Sequence, residues 1–229
     1  MNPVYVPATK LVDWQKLLAQ PEKHWREGFS AMSIATAWHN ANGFPGPVAE
    51  VFSQSGDPFR SLVPLIIIPE HKVHLSVDGR PTRNLNPSQN DVWVLAAHGA
   101  GLASITVEGK VSESFGPPLS KWLSNSPLGK PQRLDFLKRT IGLERELPGT
   151  LRYQLFHRTA SAVIEARRFQ AKTAIMLVHS FSPLNAGLPD YLAFLDLFGA
   201  TGEIGKLVNL GTIGGISLHV AWVRDVKSA

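Results

Sequence analysis

Two apolar, β-branched runs joined by a four-residue link constrain this chain more than any other feature. The runs are Asn90-Asp91-Val92-Trp93-Val94-Leu95-Ala96-Ala97 and Leu102-Ala103-Ser104-Ile105-Thr106-Val107-Glu108-Gly109-Lys110-Val111, and the link is His98-Gly99-Ala100-Gly101. Runs of this length and composition, bounded by turn-forming residues, read as the two strands of a hairpin. Gly99-Ala100 as the central pair suits a type II′ turn, which takes glycine first. His98 then pairs with Gly101 and, counting outward, Asp91 stands opposite Glu108 and Gln89 opposite Lys110. Strand side chains alternate, so Lys110 shares the face of Glu108. Directly opposed residues have Cβ atoms about 4.5–5.5 Å apart, where two like charges are destabilising. A hard divalent cation held by both carboxylates, with a lysine beside it, neutralises that repulsion. The competing explanation is a solvated strand with a salt pair that contributes almost nothing.

Around the hairpin the periodicity changes repeatedly between helix and strand. Residues 22–40 predict one amphipathic helix, with Trp25, Phe29, Met32, Ala35 or Thr36 and Trp38 or His39 near helical spacing. Gly43-Phe44-Pro45-Gly46-Pro47 stops it, and a short helix follows over 47–53. Residues 61–68 are apolar and β-rich, 72–76 continue or hairpin with them, and Asp78-Gly79 marks a turn. Beyond the carboxylate hairpin, Gly116-Pro117-Pro118 interrupts the chain before short helices at 119–123 and 133–141.

Residues 153–169 predict the clearest later helix, with Leu155, Thr159, Ala162, Val163 and Ala166 on one face. The opposite face carries Gln154, His157, Arg158, Glu165 and Arg168, either as a solvated surface or with Gln154, His157 and Arg158 in contact with phosphates. Ala174-Ile175-Met176-Leu177-Val178 is continuously apolar, as a strand covered on both faces must be. A helix over 190–198, a glycine-rich link and a last strand over 216–223 complete the reading. The expectation is a single α/β domain over residues 1–229, with helices on both faces of a mixed sheet.

Composition excludes several classes. With no cysteine, the chain has neither disulfides nor thiolate metal ligands, which fits a reducing compartment. The longest apolar run, Leu62 to Ile68, is broken by Pro64 and too short for a membrane span. The first residues lack the pattern of a secretory signal, so a cytoplasmic location is expected. Net charge is +5 and the pI is about 9.6, a balance that favours polyanionic partners such as nucleic acid. No Gly-x-Ser-x-Gly elbow supports His179 with Ser180 as a hydrolase pair, so His179 is expected to be a hydrogen-bonded structural residue. Gly129-Lys130 and Gly205-Lys206 are followed by Pro and Leu, which removes a Walker loop.

The order of elements, with Asp91 and Glu108-Gly109-Lys110 in their places, resembles the PD-(D/E)XK nuclease superfamily, the restriction-endonuclease-like fold. Its core is a helix, a three-strand meander, a helix and a strand, matched here over roughly residues 25 to 182, with 183–229 as an extension. The segment from Asn86 to Val111 also reads like a little-characterised bacterial family within that superfamily. The resemblance implies a three-layer core and a metal-dependent nuclease, with DNA as the expected substrate.

Asp91 and Glu108 would hold Mg²⁺, for which Mn²⁺ would substitute, with the Gly109 carbonyl assisting. Lys110 would orient or activate the attacking water. Many members add an acidic ligand from the first helix or strand, for which Glu27, Glu50 and Glu70 are candidates, Glu70 being nearest the hairpin in sequence. Gln89, Gln154, His157 and Arg158 are the residues expected near nucleic acid. Asn90 stands where the name-giving motif has proline, and Arg158 stands where one subgroup has tyrosine after Gln154. A homodimer would suit cleavage of both strands of a duplex. The alternative is a catalytically inactive nucleic-acid-binding or protein-interaction module of the same fold.

Overall fold

The structure, a computed structural model, describes residues 8–77, 80–81, 87–99, 101–124 and 129–226. Four helices open the chain: α1 (Leu11–Leu17), α2 (Pro21–His24), α3 (Ser30–Asn40) and α4 (Gly46–Gln54). The single helix expected over 22–40 is therefore two. Gly28 lies between them at φ +81°, a left-handed conformation that glycine reaches without a Cβ penalty. The chain then forms β1 (Val63–Val73), a two-strand ribbon of β2 (Ser76–Val77) and β3 (Arg80–Pro81), and the hairpin strands β4 (Ser88–His98) and β5 (Gly101–Lys110). The Asp78-Gly79 turn and the turn type at Gly99-Ala100 lie outside the described residues. Helices α5 (Leu119–Ser124), α6 (Gly129–Thr140) and α7 (Tyr153–Arg168) lead to β6 (Thr173–Ser180), α8 (Leu188–Leu195), β7 (Leu207–Ile213) and β8 (Ile216–Arg224).

Six strands form one mixed sheet in the order β1-β4-β5-β6-β8-β7. β1, β4 and β5 make an antiparallel meander, and α7 crosses over so that β6 lies parallel to β5. β8 is parallel to β6, and β7 returns antiparallel along the outer edge of β8. β7 was not anticipated, because Gly211 and the Gly214-Gly215 pair make the segment read as a link. The register shifts between Asn209 and Gly211, so the glycine marks an irregularity within a strand.

The helices make this a three-layer α/β architecture. On one face Ala174, Met176, Val178, Leu218, Val220 and Trp222 pack beneath Leu155, Phe156 and Val163 of α7 and the side chains of α6 and α8. On the other, Val92, Val94, Ile105, Val107, Ile175 and Leu177 meet Trp14, Ile34, Trp38 and Phe52 from α1, α3 and α4. β6 thus sends alternate residues into two cores, and every residue of it is buried. At its end His179 is fully buried; it accepts a hydrogen bond from Trp38 Nε1 at Nδ1 (3.1 Å), and its Nε2 lies 3.1 Å from Asp225. Those two contacts occupy both ring nitrogens, so the histidine is structural, as expected.

Candidate functional site

The hairpin has the register predicted from its sequence. Pairing runs from His98↔Gly101 outward to Val92↔Val107, and there the ladder between β4 and β5 stops. β4 continues alongside β1 as far as Val73↔Ser88, while β5 continues alongside β6 as far as Lys110↔Ser180. The sheet therefore forks, and Asp91 and Glu108 stand one step past the last pair, on opposite sides of the gap. The Asp91 carboxylate fills part of it, its Oδ2 accepting the Gly109 N–H at 2.7 Å. A side chain at position 109 would crowd this contact: a Cβ there would lie 3.1 Å from Ile34 Cδ1 and 3.3 Å from Asp91 Oδ2.

Glu70 extends the row of acids to a third strand. It lies between the pairs Pro69↔Val92 and His71↔Asn90, and so beside Asp91. Its φ of +52° is one that a residue with a Cβ rarely adopts, a strain that clusters at functional sites. Glu70 Oε2 accepts a hydrogen bond from Gln89 Nε2 at 2.6 Å. Of the three candidate acids only Glu70 lines the cleft described below. Glu27 is exposed, and Glu50 sits on the exposed side of α4, accepting a hydrogen bond from Gln54.

Helix α7 supplies the other half of the site. Thr106 Oγ1 donates to the Arg158 main-chain carbonyl at 3.0 Å, which fixes the helix over the fork. The face of α7 that bears Gln154 and Arg158 consequently turns onto β4 and β5. Arg158 and Glu165 are buried there, so the solvated alternative holds only for the exposed Arg168 at its end.

Glu108 receives three contacts. Lys110 Nζ donates to Oε1 at 2.7 Å, Gln154 Nε2 donates to the same oxygen at 2.5 Å, Arg158 Nε donates to Oε2, and Arg158 lies near Asp91 as well, Nη2 to Oδ1 being 3.7 Å. Lys110 also donates to Gln154 Oε1 at 3.1 Å, and its Nζ sits 4.9 Å above the Phe115 ring. His157 points to the side, Nδ1 2.7 Å from Ser88 Oγ.

The electrostatics follow from this arrangement. Burial and the neighbouring Glu108 charge push Asp91 up to about 7, and burial and Asp91 push Glu70 up to about 8. Burial acts on Glu108 too, but Arg158 and Lys110 outweigh it and hold this carboxyl below its ordinary range. Burial and the adjacent Arg158 charge keep His157 well below its ordinary value, hence neutral. Arg158 goes up: the pull of Glu108 and Asp91 exceeds the effect of burial. One firmly ionised acid and two that are reluctant to ionise thus face two buried cations.

A cleft of about 530 Å³ opens onto these groups, lined by Glu70, Gln89, Asp91, Glu108, Lys110, Gln154, His157 and Arg158. Leu18, Ala19, His24 and Phe29 from the α1–α3 region and Phe115 and Pro117 from the segment after β5 make its walls more apolar. Glu113, also lining it, was not anticipated. It accepts from the Ser30 N–H at 2.8 Å and from Val111 N–H at 2.9 Å, tying the start of α3 to the end of β5. Tyr153, at the rim, stacks on Trp122 with centroids 3.9 Å apart and accepts a hydrogen bond from Arg133. No local sequence signal points to the contact of Glu113 with Ser30 or of Tyr153 with Arg133, since those partners lie 83 and 20 residues away in the chain.

Among the described residues no group of three or more His, Asp or Glu side chains is disposed to hold a metal ion. The reason is visible at Glu108, whose two oxygens face Lys110, Gln154 and Arg158. In chemistry the donors still suit a hard cation, since Glu70, Asp91 and Glu108 offer carboxylate oxygens from three adjacent strands.

A three-layer α/β protein with a buried carboxylate–cation cluster at a fork in its sheet is thereby defined. Residues 7–227 match the family model described as Domain of unknown function (DUF6946), and the chain belongs to that family. No curated protein and no solved structure matches the chain. Among the described residues no helix is long and apolar enough to cross a membrane.

Proposed function

We propose that this protein is a divalent-metal-dependent nuclease hydrolysing phosphodiester bonds, with DNA as its first candidate substrate. The observation that carries this reading is the convergence of Asp91, Glu108 and Lys110 at the fork between β4 and β5, within a cleft. The order α3, β1, β4, β5, α7, β6 supports it, since it resembles the helix, meander, helix and strand order of the PD-(D/E)XK core.

Asp91 and Glu108 would hold Mg²⁺, with Glu70 as a further oxygen donor. A bound divalent cation would supply Lewis-acid stabilisation of phosphoryl charge and an acidified water. The chain's own groups do the rest. Lys110, fixed by Glu108, Gln154 and Phe115, places its ammonium where it can orient a water or meet developing negative charge. Gln154 holds Lys110 and Glu108 in one geometry. Gln89 keeps Glu70 aimed into the cleft.

A second reading has an observation of its own. Saturation of Glu108 by three protein groups is also what a catalytically inactive nucleic-acid-binding or protein-interaction module would show. Titration with Mn²⁺ in a calorimeter separates the two without a guess about substrate. Binding by the wild type that is lost in Asp91→Ala and in Glu108→Ala supports the nuclease. Cleavage assays on plasmid, single-stranded DNA and RNA then name the substrate. No binding, with or without a DNA duplex present, removes the nuclease reading in favour of the module.

A further inference from the structure

The Arg158 side chain is only 8% exposed, yet its guanidinium is incompletely paired. Nε donates to Glu108 and Nη2 lies a long 3.7 Å from Asp91, while Nη1 is buried with no hydrogen-bond partner among the described residues. A guanidinium carries five donors in a planar fork suited to two oxygens at once, and buried donors are rarely left unmatched. Arginine also binds phosphate bidentately where lysine acts as a point charge. Lys110 has two of its three donors committed to Glu108 and Gln154, whereas Arg158 holds a buried donor that no described residue matches.

We propose that Arg158 is a built-in competitor for the metal and a phosphate ligand in turn: its guanidinium bridges Glu108 and Asp91 as a stand-in cation, and a divalent cation that takes those carboxylates releases it to the phosphate of the bound strand. This rests on the nuclease reading. Arg158 sits one helical turn beyond Gln154, on the face of α7 that lines the cleft, so its side chain can turn from carboxylate to phosphate without moving the helix. The main-chain carbonyl held by Thr106 keeps the helix in place during that exchange. Because the guanidinium competes with the cation for Glu108 and turns to phosphate once released, metal and phosphate assist each other in wild type, while replacing Arg158 raises metal affinity and lowers phosphate affinity.

The test compares wild type, Arg158→Gln and Arg158→Lys, each checked for a cooperative thermal transition. The lysine variant keeps the buried charge should the glutamine variant fail to fold. Mn²⁺ is titrated calorimetrically without nucleic acid, and affinity for a single-stranded oligonucleotide is then measured in Ca²⁺. The expected result is Mn²⁺ binding tighter by roughly tenfold in Arg158→Gln, the scale of one charge-assisted contact removed from the competitor. Oligonucleotide affinity should fall by a similar factor and be partly restored in Arg158→Lys. A structural arginine would not improve metal binding, so equal or weaker Mn²⁺ binding in both variants overturns the proposal while wild-type binding keeps the nuclease reading. Mn²⁺ binding that wild type shows only with the oligonucleotide present, and that Arg158→Gln shows without it, supports both. Silence from all three proteins, with and without the oligonucleotide, removes the nuclease reading and the proposal with it.

Discussion

The carboxylate of Asp91 accepts the main-chain N–H of Gly109 at 2.7 Å, immediately beyond the point where β4 and β5 cease to pair. A side chain thus takes a hydrogen bond from the neighbouring strand where the ladder has ended, and the acid is held at the mouth of the gap. Two requirements meet in one residue: the charge of Asp91 and its acceptor geometry. They can be separated.

Asp91→Asn keeps an oxygen for Gly109 and loses the charge, whereas Asp91→Ala loses both. The alanine variant should be less stable than the asparagine variant by about 1–2 kcal/mol, because a partly buried N–H is left unpaired. Urea denaturation followed by fluorescence measures the difference. Equal stabilities would show that the Gly109 contact contributes nothing. Both variants should lose Mn²⁺ binding.

Among the described residues Glu108 is the only acid in contact with both buried cations of the cleft. Replacing it with glutamine leaves Lys110 and Arg158 without their main counter-charge, a change expected to cost about 3–5 kcal/mol. The double variant Glu108→Gln with Arg158→Met should recover part of that loss, since it removes an unpaired charge together with its partner. Chemical denaturation of the three proteins tests this, and a double variant no better than the single one would contradict it.

Gly109→Ala places a methyl group 3.1 Å from Ile34 Cδ1 and 3.2 Å from Ile34 Cβ on α3. The neighbour is the buried core of a helix, with little room to retreat, and overpacking of this kind costs about 1–3 kcal/mol. Ile34→Ala in the same chain should return some of the stability by clearing that space. Additive losses in the thermal melts of single and double variants would show that the two side chains do not meet.

His219, away from the cleft, should make the fold acid-sensitive. Burial lowers it from 6.5 to about 4, and Ser217 Oγ lies 2.7 Å from its Nε2. Between those two values the unfolded chain binds the proton and the folded chain does not, so stability rises with pH across the window. The contribution is complete above about pH 6.5 and is lost as pH falls towards 4, up to roughly 2–3 kcal/mol. His219→Gln should flatten that part of the stability–pH curve relative to wild type. An unchanged slope in denaturation at pH 4.5, 5.5 and 6.5 would reject the assignment.

Local rules carried the sequence a long way in some elements and failed in others. A two-residue turn and the alternation of Ala103, Ile105 and Val107 with Ser104, Thr106 and Glu108 are enough to set the register of β4 against β5, because a slip of one residue would exchange the faces of those two sets. The uninterrupted apolar run of β6 likewise identified a strand buried on both sides. Helix α7 was visible from its period, though its polar face was ambiguous. The apolar spacing over 22–40 runs on through Gly28 while the backbone turns left-handed there, so periodicity alone joins two helices into one. β7 was lost for the opposite reason: its glycines looked like a linker, and it becomes a strand by pairing with β8.

What the sequence determined by itself is therefore whatever depends on neighbours in the chain: the hairpin, its register, the alignment of Asp91 with Glu108, and the strand and helix periods. What only the tertiary structure decided is which distant groups share the low-dielectric space at the fork. Glu70 was selected over Glu27 and Glu50, Glu113 was tied to the start of α3, and Arg158 was turned onto Glu108. Those outcomes depend on how α3 and α7 pack across the sheet, and a buried charge is fixed by partners that no local spacing encodes.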